Sequence, residues 1–171
     1  MNMTIARNNK ICLRQITSSE IPYVIRLEQD VENAEFVGQW DEAQHEAALQ
    51  NADCGHWMIE TTVGSRVVGY AILRGLKNPY HSVELMRLVI AEKSQGYGRA
   101  TLRLIEQVAF EQFHAHRLWL DVREKNLRAI TLYQSEGFVV EGTLRECQKF
   151  GNEYSNLVLM SRLEHEWRAG Q

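Results

Sequence analysis

The sequence predicts a mixed α/β (α+β) fold, a central sheet of about seven strands with helices on both faces. Three observations carry this. First, an apolar strand ending at Ile90, a glycine-containing loop, an amphipathic helix and the strand "RLWLDV" follow one another without interruption. Such a crossover makes its two strands parallel neighbours. Second, turn residues at Val63-Gly64-Ser65 and at Gly151-Asn152 join β-rich runs into antiparallel hairpins on both sides of the crossover. Third, apolar residues recur at helical spacing between the strands, so each helix has a stripe to lay on the sheet. The order read is β-α-α-β-β-β-α-β-α-β-β. A chain of 171 residues with two prolines, no repeat and no low-complexity linker reads as one domain over 1–171.

Taken in order, "KICLRQI" alternates apolar and polar residues and makes the first strand. "TSSEIPYVIRLEQDVEN" switches to a helical stripe at Ile21, Val24, Ile25 and Leu27. Ser19 is its expected N-cap, which leaves Pro22 in the first turn, where a missing N–H does least harm. A second, more acidic helix is expected from Asp41 to Leu49. "HWMIETT" and "RVVGYAILRG" form the first hairpin. Asn78-Pro79 marks a turn before the strand from Ser82 to Ile90. The end of that strand, Leu88 to Ile90, is apolar without alternation, as in a centrally buried strand. The helix opening near Gly98 carries Leu102, Ile105, Val108, Ala109 and Phe113 on one face. After the strand Arg117 to Val122, Asn126 can cap a helix from Leu127 to Ser135, and Gly137 can stop it. "FVVEGTLRE" and "YSNLVLMSRL" close the sheet.

Composition narrows the function classes. A formal net charge of -3 argues against a nucleic-acid binder that works by bulk charge. The N-terminal "MNMTIARNNK" lacks the apolar core of a signal peptide, and no apolar run is long enough to span a membrane, so a cytoplasmic location is the default expectation. Cys12, Cys54 and Cys147 lie far apart without a C-x-x-C pair, which fits reduced thiols better than a disulfide framework or a zinc knuckle. His114-Ala115-His116 has no Cys or carboxylate at ligand spacing, so no metal site is expected.

The segment "EKSQGYGRATLRLI" holds two glycines at a helix entrance, where glycine is costly. Unpaired N–H groups and the positive helix end make such a loop an anion site, and phosphate is its natural guest. A nucleotide-triphosphate loop would need G-x-x-x-x-G-K-[ST]. A dinucleotide fingerprint would need a third glycine where Thr101 stands. A tight turn with no ligand is the alternative.

"NLRAITLYQSEGF", Asn126 to Phe138, adds the second motif. Together with "KSQGYG", Lys93 to Gly98, it resembles the GNAT superfamily of acyl-CoA-dependent N-acetyltransferases. That family's loop reads [QR]-x-x-G-x-[GA], and its following helix often reads N-x-x-A-x-x-L-Y-x-x-x-G-F. The second pattern matches at Asn126, Ala129, Leu132, Tyr133, Gly137 and Phe138. "LDV" before it and Glu141-Gly142 after it look like the branch of the ribosomal-protein N-terminal acetyltransferases. Lys93 departs from the usual Gln or Arg; it keeps the charge but loses the planar fork of Arg.

The resemblance implies acetyl-CoA as co-substrate and no metal. Backbone groups of Leu88, Val89 and Ile90 would pair with the pantetheine arm, with an N–H at Val89 or Ile90 facing the thioester oxygen. Lys93 and the run Gln95, Gly96, Tyr97, Gly98 and Arg99 would hold the pyrophosphate. Asn126 would contact the pantetheine, serve as a plain helix cap, or do both. Tyr133 would be the general acid to the leaving thiolate, or else an amphipathic core residue beside Phe138. Glu84, a carboxylate in an apolar strand, is the candidate base; its alternative is an exposed residue or a partner of Arg87.

The implied activity is N-acetyl transfer to a primary amine by direct attack in a ternary complex. A catalytically idle acyl-CoA sensor is the second possibility. Glu28, Asp30, Glu32, Glu35, Asp41 and Glu42 concentrate acid in the region that the resemblance places over the acceptor. This suits a cationic acceptor, though a solvated acidic face is the more ordinary reading of such a cluster. A protein N-terminus, a polyamine, an amino acid or an amino sugar all qualify, no nucleic acid or membrane partner is expected, and a homodimer is left open.

Overall fold

The computed structural model describes residues 3–171. Its sheet has eight strands: β1 (Thr4–Arg7), β2 (Ile11–Gln15), β3 (Cys54–Thr61), β4 (Val67–Arg74), β5 (Ser82–Ile90), β6 (Arg117–Arg123), β7 (Val139–Phe150) and β8 (Glu153–Leu163). They lie in the order β1-β2-β3-β4-β5-β6-β8-β7. Every pairing is antiparallel except β5 with β6, which a crossover helix, Tyr97–Gln107, joins in parallel.

The first helical run is not continuous. Thr17, not Ser19, starts it, with Glu20 closing a capping box. Helix α1 (Ile21–Gln29) then ends at Asp30, whose extended ψ of 136 breaks the run before the short α2 (Val31–Ala34). The acidic helix α3 (Glu42–Gln50) follows. The crossover helix is α4, and α5 (Leu127–Ser135) forms as expected.

The expected order thus holds around the crossover, with additions at both ends. β1 escapes the sequence reading because it is a four-residue edge strand with only partial burial. The terminal helix α6 (Glu164–Ala169) is too short to show a period, yet it seats Trp167 in the core. Among the described residues no helix is long and apolar enough to cross a membrane.

Two apolar clusters sandwich the sheet. Alternate residues of β3 and β4 face opposite sides: Trp57, Ile59, Ala71 and Leu73 pack with α4 residues Leu102 and Ile105, while Met58, Tyr70 and Ile72 pack with Ile21 and Val24 of α1. Both faces are covered, so the strands read as apolar runs.

The feature that makes a site is a gap. β5 and β6 pair only from Ser82↔Arg117 to Glu84↔Trp119. Just beyond, the β4 register slips between Leu73↔Leu85 and Ile72↔Arg87, so Met86 is an extra residue in β5. A bulge bends its strand, and here β5 leaves β6 where the bulge begins. Each strand stays paired on its far side, β5 to β4 and β6 to β8. Gly69 lets β4 keep the end of β5 close, since a Cβ there would lie 2.1 Å from the Val89 carbonyl oxygen.

Candidate active site

The gap exposes main-chain groups. Ala91 N–H donates to Val68 O in β4, and Ile90 is paired with Gly69. In an antiparallel ladder this makes Ile90 a residue whose own N–H and C=O point away from β4. Two residues earlier, Leu88 does the same. Val89 faces β4 with its polar groups, so its N–H is not the one free for a thioester oxygen. Leu88 and Ile90 hold the gap-facing donors instead.

A cleft of about 810 Å³ runs along this edge. Leu88, Val89, Ile90, Lys93, Gly96, Tyr97, Gly98, Arg99, Asn126 and Tyr133 all line it, together with Arg128 and Lys125. Gly96 caps α4 with φ 74, the left-handed region that favours glycine. Lys10, from the turn before β2, fills the space a side chain would need: its Nζ would be 2.9 Å from a Cβ at Gly96 and donates to Gln95 O at 2.6 Å. The first N–H groups of α4 lack helical acceptors and open on the cleft.

Three residues of the expected pyrophosphate loop have partners within the protein. Gln95 contributes its carbonyl to Lys10 and does not line the cleft. The Arg99 guanidinium turns to Glu136, at 2.7 Å, and leaves the loop its backbone. Lys93 Nζ donates to Asn33 Oδ1 and to Ile90 O, both at 2.5 Å. Burial, with Arg128 nearby, lowers its pKa. Asn126 caps α5 by accepting from Ala129 N–H at 3.2 Å and also borders the cleft, so both of its expected roles fit.

A second cavity of about 260 Å³ meets the first. Tyr133, Leu88, Phe36 and Val37 line both. Tyr133 packs its ring against Phe138, with centroids 5.7 Å apart. Burial, then the charge of Asp121, pushes its phenol up to about 12, so it is a protonated donor at neutral pH. Glu84 lines the second cavity in a cross-strand, two-pronged pair with Arg74 at 2.9 and 3.0 Å, and not with Arg87. Burial still raises its pKa.

Asp121 lines the same cavity from β6. The residue is exposed overall, yet partial desolvation of its carboxylate by the cavity walls raises its pKa, against the opposing charge of Arg74. Among the described residues it accepts no side-chain hydrogen bond and forms no salt bridge. Sequence reasoning passed over it as one member of the "LDV" match. The alternation of "RLWLDV", which puts Asp121 on the face opposite to Leu120 and Val122, was the available signal. Arg87 belongs elsewhere. It pairs with the fully buried Glu28 at 2.5 Å, a carboxylate that also accepts from the Tyr70 hydroxyl at 2.5 Å. Glu28 is therefore a core group, not part of an acidic recognition face.

The comparisons with known proteins agree with this geometry. The model of the acetyltransferase (GNAT) family matches residues 24–138, more than half of the chain. The chain belongs to the acetyltransferase (GNAT) family. It is similar to the spermidine N(1)-acetyltransferase of Escherichia coli (strain K12), with 26% identity over 171 residues covering 94% of this chain and 90% of that protein. Its counterpart in Vibrio cholerae is 21% identical over 94% of this chain and 96% of the relative. Among solved structures, the Vibrio cholerae spermidine N-acetyltransferase in complex with CoA and spermine superposes with a TM-score of 0.83 at 18% identity, covering 94% of this chain and 99% of that one.

This GNAT protein is accordingly an acetyltransferase with acetyl-CoA as co-substrate. The resemblance to the ribosomal-protein branch finds no support in these relatives, and neither does the idle-sensor alternative. The cleft residues fit the co-substrate: a gap-facing strand edge for an amide-bearing arm, and a glycine loop with a helix N-terminus for a pyrophosphate.

Proposed function

We propose that this enzyme moves the acetyl group of acetyl-CoA to a primary amine of a polyamine, by direct attack in a ternary complex. The observation that carries the reading is the place of Tyr133, where the co-substrate cleft meets a cavity with two carboxylates. The names of the spermidine acetyltransferase relatives support a polyamine. So does the placement of Asp121. Arg74 pairs with Glu84 and Arg87 with Glu28, while Arg123, which also lines the cavity, donates to Glu35 O, so among the described residues the Asp121 carboxylate forms no ion pair and can meet an incoming ammonium.

In this reading Asp121 receives the ammonium and takes one of its protons. Its raised pKa narrows the gap to an alkyl amine of about 10. Glu84, held by Arg74, shapes the field rather than carrying the proton. The freed amine attacks the thioester carbon, and the oxyanion meets a gap-facing strand N–H, with Leu88 at the junction of both cavities. Collapse breaks the C–S bond. A phenol at about 12 does not surrender its proton outright to a thiolate whose conjugate acid lies near 8.5. It can pass one on: Tyr133 donates to sulfur while taking the surplus proton of the former amine nitrogen. The products are the amide and the free thiol, and the proton on Asp121 goes to solvent.

The test is a thiol-release assay with acetyl-CoA against spermidine, spermine, peptides with free N-termini, amino acids and amino sugars. Turnover on polyamines above the others is expected. Turnover confined to peptides or amino sugars would overturn the acceptor. CoA binding with no turnover on any amine would overturn the catalytic assignment.

A further inference from the structure

We infer that Lys93 is an exchangeable latch, held by Asn33 in the free enzyme and taken over by the co-substrate pyrophosphate, so that co-substrate binding unties the roof of the acceptor cavity. The inference rests on the assignment of the Lys93–Arg99 loop to the pyrophosphate.

Helix α2 and its C-cap residue are tied to both sides of the gap, by one cation from the end of β5 and one from the end of β6. Lys93, three residues after β5, donates to Asn33 Oδ1 on α2 at 2.5 Å. Arg123, the last residue of β6, donates to Glu35 O at the end of α2. The segment leads into Phe36 and Val37, which line both the co-substrate cleft and the acceptor cavity. Asn33 is a fixed post: it is buried, and its Nδ2 is anchored on Leu27 O at 2.9 Å.

The grip of Lys93 is the weaker kind. Both of its acceptors, Asn33 Oδ1 and Ile90 O, are neutral. Among the described residues no carboxylate forms a salt bridge with the ammonium, and burial works against its charge. A pyrophosphate entering the same cleft offers anionic oxygens, and an ammonium facing an anion gains a Coulomb attraction that a neutral amide or carbonyl oxygen cannot supply. Ile90 O is also one of the gap-facing groups that an extended pantetheine arm would pair with. One arriving ligand therefore competes for the ammonium and for one of its two acceptors. Losing Lys93 leaves α2 held from the β6 side, and the roof over the acceptor cavity gains freedom. Because the two sites are linked through one contact, their binding energies are coupled.

A double-mutant cycle on CoA affinity, read by calorimetry, tests this. Asn33→Leu removes the competing acceptor and should tighten CoA by about tenfold or more, the worth of one hydrogen bond to a charged group. In a Lys93→Met background the same change should do nothing. If Asn33→Leu does not fold, Asn33→Asp keeps the shape and strengthens the post. It should weaken CoA binding when Lys93 is present and have a smaller effect in the Lys93→Met background. Hydrogen exchange supplies the second readout: amides of residues 33–38 should exchange faster in the wild-type protein on CoA binding, and show no such change in Lys93→Met. CoA that binds the wild type with equal Asn33 effects in both backgrounds, or with slower exchange at 33–38, would overturn the latch alone. A wild-type protein that binds no CoA would overturn the loop assignment with it.

Discussion

The two halves of the cleft are built differently. The co-substrate half is mostly main chain: the gap-facing groups of Leu88 and Ile90, the left-handed Gly96 and the first N–H groups of α4. The acceptor half is mostly side chains, with Arg74 from β4, Glu84 from β5, Asp121 from β6 and Gln148 from β7. Main-chain donors serve any sequence that can bend the loop correctly. Side-chain groups converge only if four strands hold their register. One half is therefore robust to side-chain exchange and sensitive to backbone change, and the other half is the reverse.

The boundary between the halves should show the greatest loss. Tyr133→Phe keeps the ring against Phe138 and removes only the hydroxyl, so turnover should fall roughly 10²–10⁴-fold while the KM for acetyl-CoA moves little. An acyl donor with a more acidic leaving thiol should shrink the loss. Near-normal steady-state rates in a folded variant would leave Tyr133 as a packing residue.

Asp121→Asn comes next, with kcat expected to drop by roughly 10²-fold. Its pH profile carries the sign. The cavity walls raise the pKa of the Asp121 carboxyl, activity needs the carboxylate, and so kcat should fall as pH drops through a value above the ordinary Asp range. That acid limb should disappear in Asp121→Asn. A limb unchanged by the substitution would exclude Asp121 as base.

Gly96→Val probes the backbone half. A left-handed β-branched residue is strained by about 1–2 kcal/mol, and Lys10 already occupies the side-chain space. Affinity for CoA should weaken roughly tenfold, with the thermal melt lowered by only a few degrees. A folded variant that binds CoA normally in calorimetry would remove the loop from the site.

Glu84→Gln should do least. The carboxylate is engaged by Arg74, whose own side chain is half exposed, so the pair is screened and the change in acceptor kcat/KM should be about threefold. A loss larger than that of Asp121→Asn would return the role of base to Glu84.

Much of the co-substrate half is legible in the residues alone. The strand to Ile90, the glycine entrance of α4 and the Asn126-to-Phe138 helix are local patterns, each settled within a turn or two of chain. The first helical region is less so, because one residue, Asp30, breaks the run by its backbone angle while keeping a polar residue where the pattern allows one. Glu84 stands out as a carboxylate in an apolar strand, but its partner does not. Arg74 flanks it across the sheet and Arg87 in the sequence; the register Arg74↔Glu84 and the capture of Arg87 by the buried Glu28 decide between them.

Hydrophobic period, helix caps and glycine conformations act over short range, so the longer elements, the parallel crossover and the glycine loop follow from the order of residues, while the short β1, α2 and α6 do not. Which charges meet is a long-range matter, settled by the folded chain. Lys93 stands in the loop motif, yet its ammonium goes to Asn33, 60 residues away. Arg99 goes to Glu136, and Asp121 accepts no side-chain hydrogen bond among the described residues. A long side chain takes the best acceptor within its reach, and that reach is a sphere in space whose occupants depend on where β5 bends away from β6.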